Sequence, residues 1–284
     1  MTKPTIGVLH PGAMGISVAA TAQKSGYAVY WSSAGRSPET CERAKQFALQ
    51  DAKTLEQLCT TCDVIVSVCP PHAAEVVAHE VIDCSFKGLY IDANAISPQR
   101  TVRIGEAIDG AGATFVDGGI IGGPAWEPNT TWLYLSGKRA SMAATCFAAG
   151  PLETQVIGEE IGKASAIKMC YAAYTKGTTA LLSAILAAAE QLDVREALYE
   201  QWSRDLADLP EQANRRTQRV TAKAWRFAGE MEEIAATFRA VGIPGEFHEG
   251  AAAIYQRMAH FKGASEMPSL DDVLAALVYK ISIP

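Results

Sequence analysis

The sequence predicts an α/β fold, an N-terminal doubly wound parallel sheet followed by an all-α C-terminal domain, and three observations carry that prediction. Short apolar runs alternate with helix-period segments through the first half of the chain. A glycine-bearing turn follows the first of those runs. Beyond residue 162 only helical periodicity remains.

Taken in order, residues 5–10 are a short apolar strand, and residues 14–25 repeat apolar positions at helical spacing. Residues 27–32 read as the second strand. A helix begins at 37–39, where Pro38 suits the first helical position because its missing N–H has no partner there anyway, and runs to about residue 50. Residues 63–68 are continuously apolar, as a strand covered on both faces should be. Pro71 opens a helix to about residue 82, followed by a strand at 89–93, a helix at 97–111 and a strand at 114–121. Two more strands, 132–136 and 154–157, bracket a helix near 139–147. Residues 163–192 read as one long apolar helix. Further helices are expected at 194–206, 212–236, 244–258 and 269–281, with breaks at Gly242-Ile243-Pro244 and Met267-Pro268-Ser269. This places a first domain at 1–162 and a helical one, for substrate and dimerisation, at 163–284.

Composition narrows the function. The 284 residues suffice for two ordinary domains. A net charge of −6 with scattered Lys and Arg is not the basic footprint of a nucleic-acid binder, and Arg215, Arg216 and Arg219 read as a solvated helix face. No apolar run reaches the ~18 residues of a membrane span, and the first residues lack a secretory core, so a cytoplasmic location is expected. Seven cysteines, an odd and dispersed set, suit reduced thiols.

The turn after the first strand, His10-Pro11-Gly12-Ala13-Met14-Gly15, has the spacing of a dinucleotide-binding turn. Gly12 would let backbone approach a diphosphate, and Gly15 would let helix and strand pack closely. The helix N-terminus would supply N–H groups to the phosphates. His10 replaces the first glycine. At the end of the second strand no carboxylate appears before Glu39, while Ser32, Ser33, Arg36 and Ser37 suit a ribose 2′-phosphate. NADP is therefore the expected cofactor, with NAD left open; Arg36 would alternatively pack on the adenine.

Several segments together resemble the β-hydroxyacid dehydrogenase superfamily, which includes 3-hydroxyisobutyrate and 6-phosphogluconate dehydrogenases. They are Gly12-Ala13-Met14-Gly15, Val64 through Pro71, Asp92 through Pro98, Asp117 through Gly123, and Gly162 through Lys168. The run from Ala224-Trp225-Arg226 to Ala235 is similar to a branch with a phosphogluconate-dehydrogenase-like helical C-terminal domain. The resemblance implies a Rossmann nucleotide domain and a dehydrogenase or reductase interconverting hydroxyl and carbonyl. It implies that Cys69, Pro70 and Pro71 pass the cofactor ribose, that Asn94 and Ala95 lie beside the nicotinamide, that the Ile120-Ile121-Gly122-Gly123 loop positions substrate, and that Lys168 is the catalytic acid–base. Two departures stand out: Ile121 where the family commonly carries a carboxylate-holding Ser, and Ala172 where it carries Asn. A bulkier or less polar substrate than a small hydroxy acid is expected.

Lys168 lies in the apolar run from Ala164 to Cys170, where desolvation would lower an ammonium pKa; the alternative is a lysine snorkelling at a helix edge. On an uninterrupted 3.6-residue helix, Tyr171, Thr175 and Lys176 share its face and are expected at the substrate, Tyr171 being otherwise a core residue. Cys59 and Cys62 have redox or zinc-half-site spacing but no second pair or His cluster, and His72, Glu75 and His79 read as a solvated helix face, so no metal is expected. Trp225 and Arg226 read as helix packing, with reach into a pocket the alternative, and Glu230, Glu232 and Glu233 suggest paired carboxylates, although two of the three must point away from any one site. The long apolar helix implies a homodimer with interlocked helical domains. An imine reductase and a nucleotide-sensing protein without turnover are the competing readings.

Overall fold

The computed structural model describes residues 3–278. Contacts divide the chain into Met1–Met169 and Cys170–Pro284. The first unit carries an eight-stranded sheet of β1 (Ile6–Val8), β2 (Val29–Trp31), β3 (Gln50–Asp51), β4 (Val64–Ser67), β5 (Leu89–Asp92), β6 (Thr114–Ile121), β7 (Thr131–Ser136) and β8 (Leu152–Val156), in the order β3-β2-β1-β4-β5-β6-β7-β8. Ile6 pairs with Val29 on one side and Val64 on the other, so the winding reverses at β1. In such sheets the reversal opens a crevice at the C-terminal ends of the strands.

Helices α1 (Ala13–Lys24), α2 (Pro38–Gln46), α3 (Leu55–Thr61), α4 (Ala74–Asp83), α5 (Pro98–Gly110) and α6 (Ala140–Thr145) join the strands. Val64 and Val66 point into one buried cluster with Val8 and Ile91, while Ile65 points into another with Tyr90 and Phe115. Side chains alternate across a strand, so a strand between two cores must be apolar on both faces, as Val64, Ile65 and Val66 are.

Three expectations need correction. The sheet is not wholly parallel: β6 and β7 are antiparallel, because the short loop 122–130 between them holds no crossover helix. Helix α2 stops at Gln46 instead of running to 50. Ala48 adopts φ 51°, outside the helical region, and Gln50 enters β3 beside Tyr30. Helix α3 was not foreseen; Thr54 caps it by accepting from the Gln57 N–H at 3.3 Å.

Helix α7 (Lys163–Ala172) starts in the first unit and crosses the 169/170 division. The second unit continues through a π-turn, Ala173–Gly177, into α8 (Thr178–Gln191), α9 (Arg195–Asp205), α10 (Leu209–Ala240), α11 (Glu246–Arg257) and α12 (Leu270–Leu277). The expected single helix over 163–192 is thus interrupted. The carbonyls loosened by the π-turn find other donors: Arg216 Nη2 donates to Thr175 O at 3.0 Å, and Tyr255 Oη donates to Lys176 O at 2.7 Å. Leu186, Met231, Ile234, Tyr255 and Val273 form the buried interior of this unit. Residues 279–281 of the expected last helix lie outside the described residues. Among the described residues no helix is long and apolar enough to cross a membrane.

Candidate functional site

The turn between β1 and α1 separates the two glycines by role. Gly12 stands at the N-cap of α1, with no side-chain cap and no acidic residue in the first turn. The helix therefore presents N–H groups and a positive dipole end to an anion. A Cβ on Gly12 would meet nothing within 4 Å, whereas one on Gly15 would fall 2.0 Å from His10 O. Gly12 leaves the cradle open, and Gly15 lets the helix press on the turn. Pro11 is buried, Ala13 is exposed, and Met14 packs against the core beneath β1.

His10 is half-buried, and its Nδ1 has no hydrogen-bond partner among the described residues; the same holds for Arg36 Nε. Burial, assisted by the Arg36 charge, pushes the imidazole pKa down to about 4, so the ring is neutral near pH 7. Burial also lowers Arg36, while the charges of Glu80 and Cys69 act in the other direction. Of the hydroxyls expected around a ribose phosphate, two have structural work: buried Ser32 donates to Lys53 O at 3.1 Å, and Ser37 caps α2 by accepting from the Thr40 N–H. Strand β3 also brings Asp51 to the end of β2, where it accepts from Ser33 N–H and pairs with Lys53 Nζ at 2.8 Å. Sequence reasoning missed this carboxylate because β3 itself has no apolar signature.

The next two strands end in a polar brace. Asn94 Oδ1 accepts from Cys69 N–H at 2.6 Å, its Nδ2 donates to Ser67 Oγ at 3.1 Å, and its own N–H donates to Asp92 Oδ1 at 2.9 Å. The Asn94 carboxamide thus ties the loops after β4 and β5 together. Ala95 is half-buried, Pro70 exposed and Pro71 buried. The Cys69 thiol is pushed up to about 12, by burial and then by the Asp92 charge. Asp92 is fully buried with Oδ2 unpartnered among the described residues, and burial raises its carboxyl to about 7, reinforced by Asp117.

Strand β6 positions the helix that carries Lys168. Asp117 Oδ2 accepts from Gly162 N–H, Ser165 N–H and Ser136 Oγ at 2.9, 3.1 and 3.0 Å, and its Oδ1 accepts from Ser165 Oγ at 2.7 Å. One carboxylate therefore fastens the start of α7 to the sheet. A Cβ on Gly119 would fall 2.4 Å from Ala164 O and 3.1 Å from Lys168 Cβ, so α7 rests directly on strand backbone. Lys168 is half-buried there. Ile120 and Ile121 are both buried, and Ile120 packs in a core cluster, so its side chain serves the sheet. Gly122 has φ 127° and a Cβ there would lie 2.5 Å from Thr130 O; it makes the hairpin possible. Gly123 has open space, and its carbonyl accepts from Thr131 Oγ1 at 2.8 Å.

In the second unit the expected common face of Tyr171, Thr175 and Lys176 breaks up, because the π-turn ends the 3.6-residue repeat at Ala172. Tyr171 is 49% exposed and is no core residue. Thr175 Oγ1 donates to Tyr171 O at 3.1 Å. Lys176, with a side chain only 13% exposed, donates to Glu230 and lies 4.6 Å from the Phe227 ring centroid. Glu230 is the residue sequence reasoning undervalued; its partner Lys176 lies 54 residues away, so no local pattern marked it.

A cavity of about 840 Å³ opens at the opposite, N-terminal ends of β4, β5 and β6, lined in part by Cys59, Cys62, Cys84 and Phe86. Burial pushes the Cys62 thiol up to about 12 and Cys59 higher still, which suits inert thiols. Among the described residues no group of three or more His, Cys, Asp or Glu is placed to hold a metal.

Residues 5–146, half of the chain, match the family described as the NAD binding domain of 6-phosphogluconate dehydrogenase. The chain belongs to this family. It fits the β-hydroxyacid dehydrogenase superfamily, and residues 189–258 match a domain of unknown function, DUF1932. A relative from Methanothermus fervidus, an uncharacterized 28.5 kDa protein in the 7S RNA 5′ region, is 32% identical over 167 residues, 58% of this chain and 63% of that protein. The match thus spans less than two thirds of that relative. Among solved structures, the conserved protein MTH1747, of unknown function and similar in structure to 3-hydroxyacid dehydrogenases, is 27% identical with a TM-score of 0.68, covering 97% of this chain and 100% of that one. Mycobacterium tuberculosis 3-hydroxyisobutyrate dehydrogenase with L-serine has a TM-score of 0.72 at 16% identity, covering 98% and 100%. An imine reductase variant from Myxococcus stipitatus with NAD+ has a TM-score of 0.57 at 17% identity, covering 98% and 100%. The Gly12 turn suits the diphosphate of an NAD-binding domain: the space over Gly12 is open, and the α1 N-terminus has no side-chain cap.

Proposed function

We propose that the chain is an NADP-dependent oxidoreductase interconverting a hydroxyl and a carbonyl on a small molecule, with Lys168 as the acid–base. The supporting observation is the seat of α7: Gly119 and Asp117 hold the Lys168 segment down on β6, beyond the level where Asp92 pairs with Asp117. The bound nicotinamide would supply or accept the hydride. Lys168 gives or takes the proton at the substrate oxygen. Gly123 offers open backbone to the substrate, while Ile121 and Ala172 offer no hydrogen bond to a carboxylate. The substrate is therefore less polar than a short hydroxy acid.

His10, Pro11, Gly12, Ala13, Met14 and Gly15 form the phosphate turn, and Asn94 keeps the Cys69–Pro71 and Ala95 loops in place around the cofactor. NADP is favoured over NAD because Arg36 and Ser33 stand at the end of β2, and the nearby carboxylate, Asp51, is already held by Lys53. Residues 1–162 bind nucleotide. Residues 163–284 recognise substrate, through the exposed Tyr171, and self-associate, while Thr175 and Lys176 serve the π-turn and the Glu230 pair. Tyr174 and Leu181 are exposed large hydrophobic residues of that region, which favours a homodimer. The free thiols fit the reducing cytoplasm.

Lys168→Ala tests the acid–base role. Turnover should fall by about 10²–10⁴-fold, with the NADPH dissociation constant unchanged within twofold. A variant as active as the parent would remove Lys168 from the chemistry, and a parent inactive on every substrate would favour a nucleotide sensor. A panel of hydroxy acids, alcohols and imines, followed by nicotinamide absorbance with both cofactors, identifies the substrate class. Imine reduction is the second reading, favoured by the same missing carboxylate anchors at Ile121 and Ala172. A monomer in sedimentation at micromolar concentration would overturn the dimer.

A further inference from the structure

The position occupied by His10 ordinarily demands no side chain at all, so a half-buried imidazole there needs a physical account. Strands β1 and β2 run parallel with Gly7 opposite Tyr30, so His10 and Ser33 leave the sheet at the same level. The next turn closes by Arg36 N–H donating to Ser33 O at 3.2 Å. Arg36 lies near enough for its charge to act on His10 and on Cys69.

Both side chains are left with an unsatisfied nitrogen, His10 Nδ1 and Arg36 Nε, at the ends of neighbouring strands. A buried polar nitrogen without a partner is costly, and two of them at the ends of neighbouring strands point to a missing ligand. The backbone of His10 is not free to swing away. Its carbonyl accepts from Gly12 N–H at 2.8 Å and lies in the space a Gly15 side chain would need. The imidazole is therefore carried on a fixed backbone, within reach of the Arg36 charge.

We propose that His10 is a second ligand, with Arg36, for the 2′-phosphate of the adenosine ribose, and so a specificity-determining residue for the dinucleotide. This rests on the NADP reading above. A dianionic phosphate monoester offers three acceptor oxygens, enough for a guanidinium and an imidazole together; a ribose hydroxyl does not. A neutral imidazole adds a donor beside the guanidinium without adding a second repelling charge. The Nδ1–H tautomer is the one this role requires.

The test is calorimetric titration of the full-length protein with adenosine 2′,5′-bisphosphate and with adenosine 5′-monophosphate, which report the adenosine end without turnover. The parent should prefer the bisphosphate by at least tenfold. His10→Leu, which fills similar space without a nitrogen, should weaken the bisphosphate about tenfold and leave the monophosphate within twofold. His10→Asn, whose amide places an N–H close to the Nδ1 position, should recover most of the loss. A parent with no preference for the bisphosphate overturns the NADP reading and this inference with it. A preference that persists in His10→Leu overturns the inference alone. Equal weakening of both nucleotides in His10→Leu also overturns it, since His10 would then serve only the turn.

Discussion

Replacing Gly12 and Gly15 separately by alanine should split nucleotide binding from folding. At Gly15 the new methyl carbon would lie 2.0 Å from His10 O and 3.0 Å from His10 C. Both are backbone atoms, so a turn or a helix must move by about an ångström. Overpacking of this kind costs about 1–3 kcal/mol, and rigid backbone places it near the upper end. At about 2–4 °C per kcal/mol for a domain of this size, melting should drop by roughly 6–12 °C. At Gly12 the methyl would meet nothing within 4 Å, and φ −69°, ψ −168° is extended backbone open to alanine. The small N-cap loss is offset by the lower entropy of the unfolded chain, about 0.5–1 kcal/mol each, so melting should stay within about 2 °C. The same methyl occupies the open side of the cradle, so NADPH and NADH should both weaken by at least ~30-fold, about 2 kcal/mol. Differential scanning fluorimetry and calorimetric titration read the two effects. Parental affinity in Gly12→Ala, or an unchanged melting temperature in Gly15→Ala, would refute this division of labour.

Three further outcomes follow from buried charges. The Asp92 carboxyl sits at about 7 against 3.8 when free, so the folded state keeps a proton that the unfolded state releases; stability is full below pH 4 and declines as pH rises to 7, by about 4 kcal/mol in all. Asp92→Asn should therefore gain on the parent across that window and level off above it in urea titrations; a pH-independent difference would contradict the assignment. Lys176→Met should cost about 3 kcal/mol by stripping the cation from buried Glu230, and adding Glu230→Gln should recover most of it in thermal melts, whereas additive losses would argue against a coupled pair. Asp117→Ala removes the acceptor for Gly162 N–H and both Ser165 donors, so it should cost about 3 kcal/mol and lower kcat at unchanged NADPH affinity; retained kcat would free Lys168 from this anchor.

What could be read from the sequence depended on whether a feature is local. The run from Val64 to Val66 is apolar throughout because Val64 and Ile65 face different cores, and that pattern needs no partner to be seen. The Gly12 turn is likewise a local geometric demand. Strand β3 is two residues, Gln50 and Asp51, held by backbone pairing, so hydrophobicity gave no sign of it or of the carboxylate it delivers. The π-turn depends on Arg216 and Tyr255, which lie 41 and 79 residues away from the carbonyls they satisfy. Asn94 could be assigned to the cofactor edge by resemblance, but its use as a brace depends on Ser67 and Cys69 arriving beside it. His10 looked like a defect in a motif until the β1–β2 register set it beside Arg36.

Asp117-Gly118-Gly119 shows why the sheet and the Lys168 helix are best understood as one construction. Asp117 supplies the anion that the N-terminus of α7 favours, through hydrogen bonds to Gly162 N–H and Ser165 N–H. A Cβ on Gly118 would lie 2.9 Å from Asp92 O, and one on Gly119 would lie 2.4 Å from Ala164 O. Missing side chains therefore set how closely β6 approaches β5 and how low α7 sits on β6. Side-chain packing can relax when a neighbour changes, but contact between two backbones has little room to do so. The height of Lys168 above the strand is thus fixed by peptide geometry, which is what the proposed acid–base role asks of its position.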